Sequence, residues 1–336
     1  MKAPVKIMLT LWAAITLASC GDIQKPASQG GPYDVLLLLN HENWNGAMGD
    51  TLKNIMRAPV RYINQYEPMF ELQRILPKAF DGLLSHHRNV LNVRIGEQFA
   101  EPSMTMTQDQ YSRPQLIVTV SGPDNQTVTQ YISDNRTALQ DIFNMHERNR
   151  YLELLKLSPA AILERQVAEK FGFTMRIPSG YTLRNELDDF LWISQEYPES
   201  SQGIIIYSYP YEGQDDFLVD SLLDKRDAFV ANIPAENPGS HMITFREIMP
   251  EVRYLRIFGR PWAEMRGFWD VAEDFMGGPF VSYSTVDTAT NRVVCVDCYV
   301  YSPSPYKPKR NLLRQLENLI YSAAFPGDMR ENAPAE

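Results

Sequence analysis

The chain is poor in the residues that build metal sites and nucleophilic sites. Its 336 residues include only three cysteines and five histidines. No two histidines stand four positions apart, the spacing that places two metal ligands on one helix face. There is also no Gly-x-Ser-x-Gly elbow, no Ser-x-x-Lys accompanied by its partner motifs and no glycine-rich phosphate loop. The sequence therefore predicts no metal site, no cofactor and no catalytic residues of these classes.

Basic charge is also in deficit. The 32 lysines and arginines are outnumbered by 41 aspartates and glutamates, which gives a formal net charge of −9. A general nucleic-acid binder needs a concentrated basic surface that displaces counterions from the phosphates. We therefore expect no nucleic-acid partner.

Hydrophobic runs long enough to span a bilayer are missing from the sequence. The N terminus carries a shorter apolar run instead. The apolar run Ile7–Leu17 is well short of the ~20 residues that a transmembrane helix needs. With Lys2 and Lys6 before it, this run is typical of a secretory signal. Residues 17–21 (LASCG) then resemble the bacterial lipobox, a signal in which the cysteine, here Cys20, takes a diacylglycerol and becomes the mature N terminus.

The lipobox resemblance implies an acylated protein held by its N terminus. Residues 1–19 would be the signal peptide, and residues 20–32 a short polar tether whose only acidic residue is Asp22. Several acyl chains anchor a protein firmly without a transmembrane helix. Because the tether lacks an acidic run, we expect the periplasmic face of the outer membrane. The alternative is a simple cleaved signal in which Cys20 is incidental.

The body of the chain predicts an α+β fold. Most links between predicted strands are too short for a crossover helix, which favours largely antiparallel sheets flanked by helices. We expect two mixed domains, residues 33–157 and 158–326, followed by a disordered tail at 327–336, with the boundary where Ser158-Pro159 interrupts a helical stretch. The predicted strands are Tyr33–Asn40, Met69–Leu76, Asn89–Ile95, Gln115–Ser121, Phe173–Ile177, Phe190–Glu196, Gly203–Tyr209, Met242–Ile248, Val252–Phe258, Trp262–Val271, Phe280–Val286 and Arg292–Tyr301. The predicted helices are Gly46–Arg57, Lys78–His87, Asn125–Lys156, a segment from Ser158 to Lys170, Phe217–Ala231 and Pro308–Ala324.

Several segments resemble a family of Bacteroidota envelope lipoproteins, domain-of-unknown-function family 4837. They are the lipobox, Trp44–Asp50 (WNGAMGD), Gln202–Tyr207 (QGIIIY), Phe275–Phe280 (FMGGPF) and Tyr301–Arg310. This resemblance covers nearly the whole mature chain and implies no known activity, cofactor or catalytic residue. The second half also resembles the Mog1/PsbP-type α/β/α sandwich, through Phe173–Tyr181 and a strand centred on Trp192. That fold usually serves binding and assembly, which is an analogy of fold only.

Cys295 and Cys298 form a C-x-x-C motif inside a valine-rich strand pattern. Residues i and i+3 of a strand point to opposite faces with Cα atoms ~10 Å apart. A disulfide needs Cα atoms within ~7 Å. We therefore expect two separate strand cysteines, while a periplasmic redox pair remains an alternative.

Aromatic residues and glycines cluster around the last strands. Gly277 and Gly278 permit a positive φ or the close approach of another backbone or a ligand. One interpretation is an aromatic-walled groove with a basic rim (Lys307, Lys309, Arg310) for a peptide, a glycan or an anionic lipid headgroup. The other is a hairpin turn and sheet core. The candidate binding residues are Trp44, Trp262, Trp269, Met276, Gly277, Gly278, Tyr301 and Lys307.

We therefore expect a lipid-anchored envelope protein that is not an enzyme and that binds an envelope protein, glycan or lipid. The alternative is a hydrolase of cell-wall or glycan material whose carboxylates come from distant parts of the chain. Such a pair is recognised by its separation in space, which sequence does not show. The adjacent acids Asp188-Asp189 and Asp215-Asp216 are the visible candidates.

Overall fold

The computed structural model describes residues 25–304 and 307–328. The predicted signal peptide, Cys20 with the first part of the tether, and residues 329–336 of the predicted tail lie outside the described residues. Within those ranges, no helix is both long enough and apolar enough to cross a membrane.

The first half is built on a five-stranded sheet with the order β2-β1-β3-β5-β4. The expected antiparallel pairing does not hold here, because β1 is parallel to β2 and β3, β3 is parallel to β5, and only β4 runs against its neighbour. The two helices after β1 return the chain to the same end of the sheet, which makes a parallel pair. The strands are β1 (Asp34–Leu38), β2 (Glu71–Ile75), β3 (Asn89–Ile95), β4 (Ser103–Gln108) and β5 (Leu116–Gly122). The helices are α1 (His41–Trp44), α2 (Ala47–Met56), α3 (Asn125–Asp134) and α4 (Arg136–Leu157).

The two faces of this sheet are covered unequally. One face packs against α2, α3 and α4 and forms the larger core of the first half. The other face, with Leu36, Leu38, Val90 and Ile117, is covered by Phe80 from the segment between β2 and β3. That segment forms two 3₁₀ turns, Pro77–Ala79 and Gly82–His86, rather than the predicted helix.

The second half is an α/β/α sandwich around one large antiparallel sheet, which confirms the predicted α+β class. The strand order is β10-β11-β12-β13-β8-β7-β6, with β9 beside β11. Helices α5 and α7 cover one face, and α6 covers the other. The strands are β6 (Thr182–Leu187), β7 (Phe190–Tyr197), β8 (Ser200–Pro210), β9 (Met242–Thr244), β10 (Glu251–Ile257), β11 (Arg260–Val271), β12 (Gly277–Asp287) and β13 (Arg292–Tyr301). The helices are α5 (Ala161–Phe171), α6 (Val219–Val230) and α7 (Lys309–Ile320).

Three sequence predictions of local structure need correction. The predicted strand Phe173–Ile177 makes only an isolated bridge, between Thr174 and Ala324, although its apolar side chains are buried. The predicted long helix divides at Asn135 into α3 and α4. The predicted disordered tail begins too early, because Asp328 forms an ion pair with Arg260 at 2.8 Å.

Helix α7 joins the two halves because two of its faces are buried. Leu313, Leu316 and Ile320 pack into the core of the second half. On another side, Arg310, Arg314 and Asn318 repeat every four residues and are also buried. Arg314 donates to the Asn144 side chain at 2.6 Å and lies over the Tyr33 ring, both in the first half.

The N terminus of α7 is capped by a residue from the first half. Glu67, only 6% exposed, accepts the backbone N–H groups of Lys309 at 2.9 Å and Arg310 at 2.7 Å. Pro308, the residue at the start of the helix, makes no side-chain cap. Because the first N–H groups of a helix have no partner within it, the carboxylate supplies what the local sequence lacks.

We expect the substitution Glu67→Gln to lower the free energy of unfolding by about 1–3 kcal/mol, because an amide offers one acceptor where the carboxylate offers two. Urea unfolding of the wild type and the variant measures this. The matched control is Glu153→Gln, which removes an exposed partner of Lys156 and is expected to cost no more than about 0.5 kcal/mol. Equal losses in both variants would contradict the role assigned to the cap.

Candidate functional site

The two tryptophans of the predicted groove lie on opposite faces of the large sheet. They stand seven positions apart on β11, and side chains alternate along a strand. Trp262 packs against Tyr283 and Phe325 on the α5/α7 side. Trp269 packs against Tyr299 on the α6 side. Both are nearly fully buried, at 4% and 3% exposure, so a single groove walled by both is excluded.

The glycine pair serves the protein's own backbone. Gly278 pairs with Trp269 across the β11–β12 hairpin. A side chain at Gly278 would clash with the carbonyl oxygen of Val300, which also accepts the indole N–H of Trp269 at 3.2 Å. Gly277, the exposed neighbour, has the backbone oxygen of Trp269 at 2.9 Å from where its Cβ would stand. These glycines are therefore explained by close strand packing.

Met276 and Tyr301 line a cleft of about 560 Å³ at one end of the large sheet. The turn between β7 and β8 forms the opposite wall and contributes Glu199. Lys307 pairs with Glu199 at 2.9 Å. The predicted basic rim is not formed, because Lys309 and Arg310 are each only 4% exposed.

Trp44, the candidate in the first half, is a helix-junction residue. It ends α1, is half-buried, and packs against the core of that half. The amino group of Lys53 lies 4.4 Å from the centre of its ring. Gly49 has no room for a side chain, because a Cβ would overlap the carbonyl group of Trp44.

A second and more aromatic cleft lies where the segment after β8 meets the edge strand β10 and its neighbour β11. We call it the aromatic cleft. Its volume is about 660 Å³, within the ~300–1,000 Å³ typical of small-molecule sites. It is lined by Tyr211, Gln214, Phe217, Leu218, Tyr254, Leu255, Arg256, Pro261, Trp262, Ala263 and Val286.

The walls of the aromatic cleft are held together by direct contacts. Tyr254 is 65% exposed, and its hydroxyl donates to the carbonyl oxygen of Phe217 at 2.8 Å. The Tyr211 and Phe217 rings lie 6.2 Å apart. These contacts tie the segment after β8 to the edge strand, so the aromatic walls are fixed before any ligand arrives.

The chemistry of the aromatic cleft favours binding over reaction. Its polar side chains are the Gln214 amide, the Arg256 guanidinium and the two tyrosine hydroxyls. Arg256 donates one N–H to the Gly259 carbonyl at 2.7 Å. Its guanidinium has four further N–H groups with which to contact a ligand. Among the described lining residues there is no carboxylate, imidazole or thiol, which are the commonest general acids, bases and nucleophiles.

One acid of each adjacent pair named as a hydrolase candidate is engaged in local structure. Asp189 pairs with Arg292 at 2.6 Å, and Asp216 accepts the backbone N–H of Glu212 at 2.8 Å. Across residues 25–304 and 307–328, no group of three His, Cys, Asp or Glu side chains is arranged to hold a metal ion.

Sequence reasoning pointed to Trp262 but missed the rest of the aromatic cleft. Tyr211 and Phe217 follow a strand in a loop that carries three acids, which resembles an ordinary solvated connection. Tyr254 stands in a strand pattern with no feature that distinguishes it from a core residue. Only the strand order, which places β10 at the edge of the sheet, brings the two segments together.

Comparison with known families divides the chain in two. Residues 160–322 match the model of a domain of unknown function, DUF4837, and residues 28–156 match that of another, DUF8532. Each half of the chain is thus similar to a different family of unknown function. The resemblance to DUF4837 is thus confirmed for the second half, whereas the Trp44–Asp50 segment lies within the residues that match DUF8532.

Solved structures and curated proteins add little to this. The Saccharomyces cerevisiae Ran-binding protein Mog1p is 10% identical, with a TM-score of 0.30, and the match covers 46% of this chain and 91% of that one. A mutant of protein Mog1 matches with the same identity and TM-score over 48% and 94%. No curated protein matches the chain.

The two cysteines of the second half are separate, free and buried, as the sequence predicts. They lie on opposite faces of β13, because Cys295 packs in the core under α6 and Cys298 in the core under α7. Burial raises the pKa of the Cys295 thiol to about 12 and raises that of Cys298 as well. Both thiols are therefore protonated and unreactive near neutral pH.

We expect neither of these thiols to react with a thiol reagent at pH 8 in the folded protein, because a group of pKa about 12 is then ionised in about one molecule in 10,000. Both should react at once in concentrated guanidinium. A Cys20→Ala variant leaves only these two thiols to count. A thiol that reacts quickly in the folded protein, or one released only by a reductant, would contradict this.

Proposed function

We propose that this is a lipid-anchored envelope protein that acts by binding a ligand in the aromatic cleft, without catalysing a reaction. The single observation that carries the proposal is the composition of that cleft. Aromatic and apolar side chains form its walls, and an amide and a guanidinium supply its polar contacts. A site of this kind holds and orients a ligand but supplies no carboxylate, imidazole or thiol for proton transfer or attack.

The ligand class that fits the aromatic cleft best is a glycan. A sugar ring has a flat face of C–H groups and an edge of hydroxyls, so it matches a cleft with flat aromatic walls and a few polar groups. The exposed Tyr254 ring offers such a wall, and Arg256 and Gln214 offer donors to hydroxyl or carboxylate oxygens. An envelope location would provide glycans in abundance.

The proposed anchor is the lipid on Cys20, and the outer membrane facing the periplasm is the proposed location. The support is the order of features at the N terminus: Lys2 and Lys6, then the apolar segment Ile7–Leu17, then the LASCG sequence at residues 17–21. Acyl chains contribute about 0.8 kcal/mol for each CH₂ that they bury, so several chains hold a protein on a membrane.

For the anchor, we expect the Cys20→Ala variant to leave the membrane fraction of cells, because it has no thiol to acylate. Fractionation and intact-protein mass spectrometry measure this, with Cys295→Ala as the control that keeps Cys20. A Cys20→Ala variant that associates with the membrane as strongly as the wild type, or a wild-type protein without acyl mass, would show that the anchor is wrong.

For the aromatic cleft, we expect the Tyr254→Ala variant to bind oligosaccharides from the cell envelope at least about tenfold more weakly, a loss of ~1.4 kcal/mol. Fluorescence titration can follow this, because Trp262 lines the cleft. The matched control is Tyr66→Ala, since Tyr66 is 63% exposed and also donates to a backbone carbonyl, at 2.8 Å. Equal effects of the two variants would refute the site, and newly formed reducing ends would favour the hydrolase instead.

A further inference from the structure

The described part of the predicted tether is not a free linker, because residues 26–29 are pinned to the first half. The backbone of Arg113 donates to the carbonyl oxygen of Pro26 at 2.9 Å and accepts from Ser28 at 3.2 Å. The backbone of Gln29 donates to His86 at 2.9 Å and accepts from Arg88 at 2.8 Å. We call residues 26–29 the docked segment.

The docked segment limits how far the protein body can stand from its anchor. Cys20 precedes Pro26 by six residues, and an extended chain spans at most ~3.6 Å per residue. Whatever conformation these residues take, Pro26 at the start of the docked segment lies within about 22 Å of Cys20. The surface beside the docked segment is therefore close to the bilayer that holds the lipid.

That surface carries an apolar patch, which we define as Leu83, Leu84 and Tyr111. These side chains are 70%, 42% and 40% exposed. The two leucines lie on the 3₁₀ turn Gly82–His86, whose His86 carbonyl accepts from the docked segment. Tyr111 packs edge-on against Phe80, with ring centres 5.6 Å apart. The patch therefore adjoins Phe80, the side chain that covers one face of the five-stranded sheet.

The leucines of the patch are held outward by local structure. Phe80 alone of this segment packs on the apolar face of the sheet, which leaves Leu83 and Leu84 without a core to fill. The Asp81 carboxylate accepts the N–H of Gly82 at 2.7 Å and begins the turn. Gly82 has φ of +53°, a conformation that favours glycine and turns the chain sharply.

The local charge around the patch is more basic than the net charge of the chain, and this suits contact with an anionic lipid surface. Lys25, Lys78 and Arg113 are exposed there, although the net charge of the protein is −9. The acids nearby are Asp81, exposed at the start of the turn, and Asp109, which pairs with Arg113 at 3.4 Å. The basic residues thus outnumber them three to two. The leucines and lysines thus form the combination found in proteins that lie on a membrane interface.

We propose that this apolar patch is the membrane-facing surface of the protein, with Leu83 and Leu84 among the headgroups of the leaflet that holds the Cys20 lipid. The proposal rests on the proposed anchor. In this arrangement the first half of the chain faces the bilayer, and the aromatic cleft of the second half remains the site for a ligand.

The test places the acylated protein in vesicles of phosphatidylethanolamine and phosphatidylglycerol, after mass spectrometry has verified the acyl chains. A fluorophore on Leu83→Cys reports contact with lipids that carry a quencher near the headgroup. The control is a fluorophore on Ile162→Cys, because Ile162 is exposed to nearly the same extent, 67%, on α5 of the second half. The buried thiols of Cys295 and Cys298 do not compete for the label.

We expect the lipids to quench the label at position 83 at least fivefold more strongly than the label at position 162. Equal quenching would overturn the proposal. A blue-shifted label at position 83 without quenching would also overturn it, because a second copy of the chain would then cover the patch.

A second measurement separates this proposal from the anchor. The unacylated Cys20→Ala protein should bind the same vesicles weakly at high lipid concentration, and the added pair Leu83→Glu and Leu84→Glu should reduce that binding about tenfold. A wild-type protein that is never acylated would refute the anchor and leave this result intact. If the wild type is acylated but the two glutamates leave the residual vesicle binding of the Cys20→Ala protein unchanged, the membrane face alone is refuted.

Discussion

The fold depends on a carboxylate of one half capping a helix of the other. Glu67 accepts the first N–H groups of α7. One side of that helix packs into the core of the second half, and another side, with Arg310 and Arg314, is buried against the first half. Separation of the halves would leave Arg310 and Arg314 without the partners that they find at Pro68 and Asn144. Because buried polar groups without partners are costly, the two domains hold each other in place.

The segment that carries Glu67 also reaches the edge strand of the aromatic cleft. Arg61 pairs with Glu251 at the start of β10. The Tyr62 hydroxyl donates to the backbone of Met249 at 2.9 Å. The strand that presents Tyr254 is therefore fixed at one end by the first half and along its length by β11. The first half thus supports the proposed ligand site without lining it.

Much of this architecture could be predicted from the sequence, for a physical reason. Strands buried on both faces, such as β3, β5, β8, β12 and β13, are apolar runs that local pattern detects. The edge strands β4 and β6 were missed because their residues are almost all exposed and polar. The parallel pairing of the first sheet was missed because it depends on where α1 and α2 return the chain, which spacing does not show.

The motifs on which the family resemblance rests specify the frame of the protein, meaning its packed strands and helices, and not the aromatic cleft. Three of their glycines, Gly49, Gly203 and Gly278, sit where a side chain would strike a neighbouring backbone or ring. The walls of the aromatic cleft lie outside those motifs, on the loop after β8 and on the edge of β10. Exposed walls of this kind are under no packing constraint comparable to that of the glycines. The same frame therefore accommodates different walls, so the motifs alone do not specify a ligand.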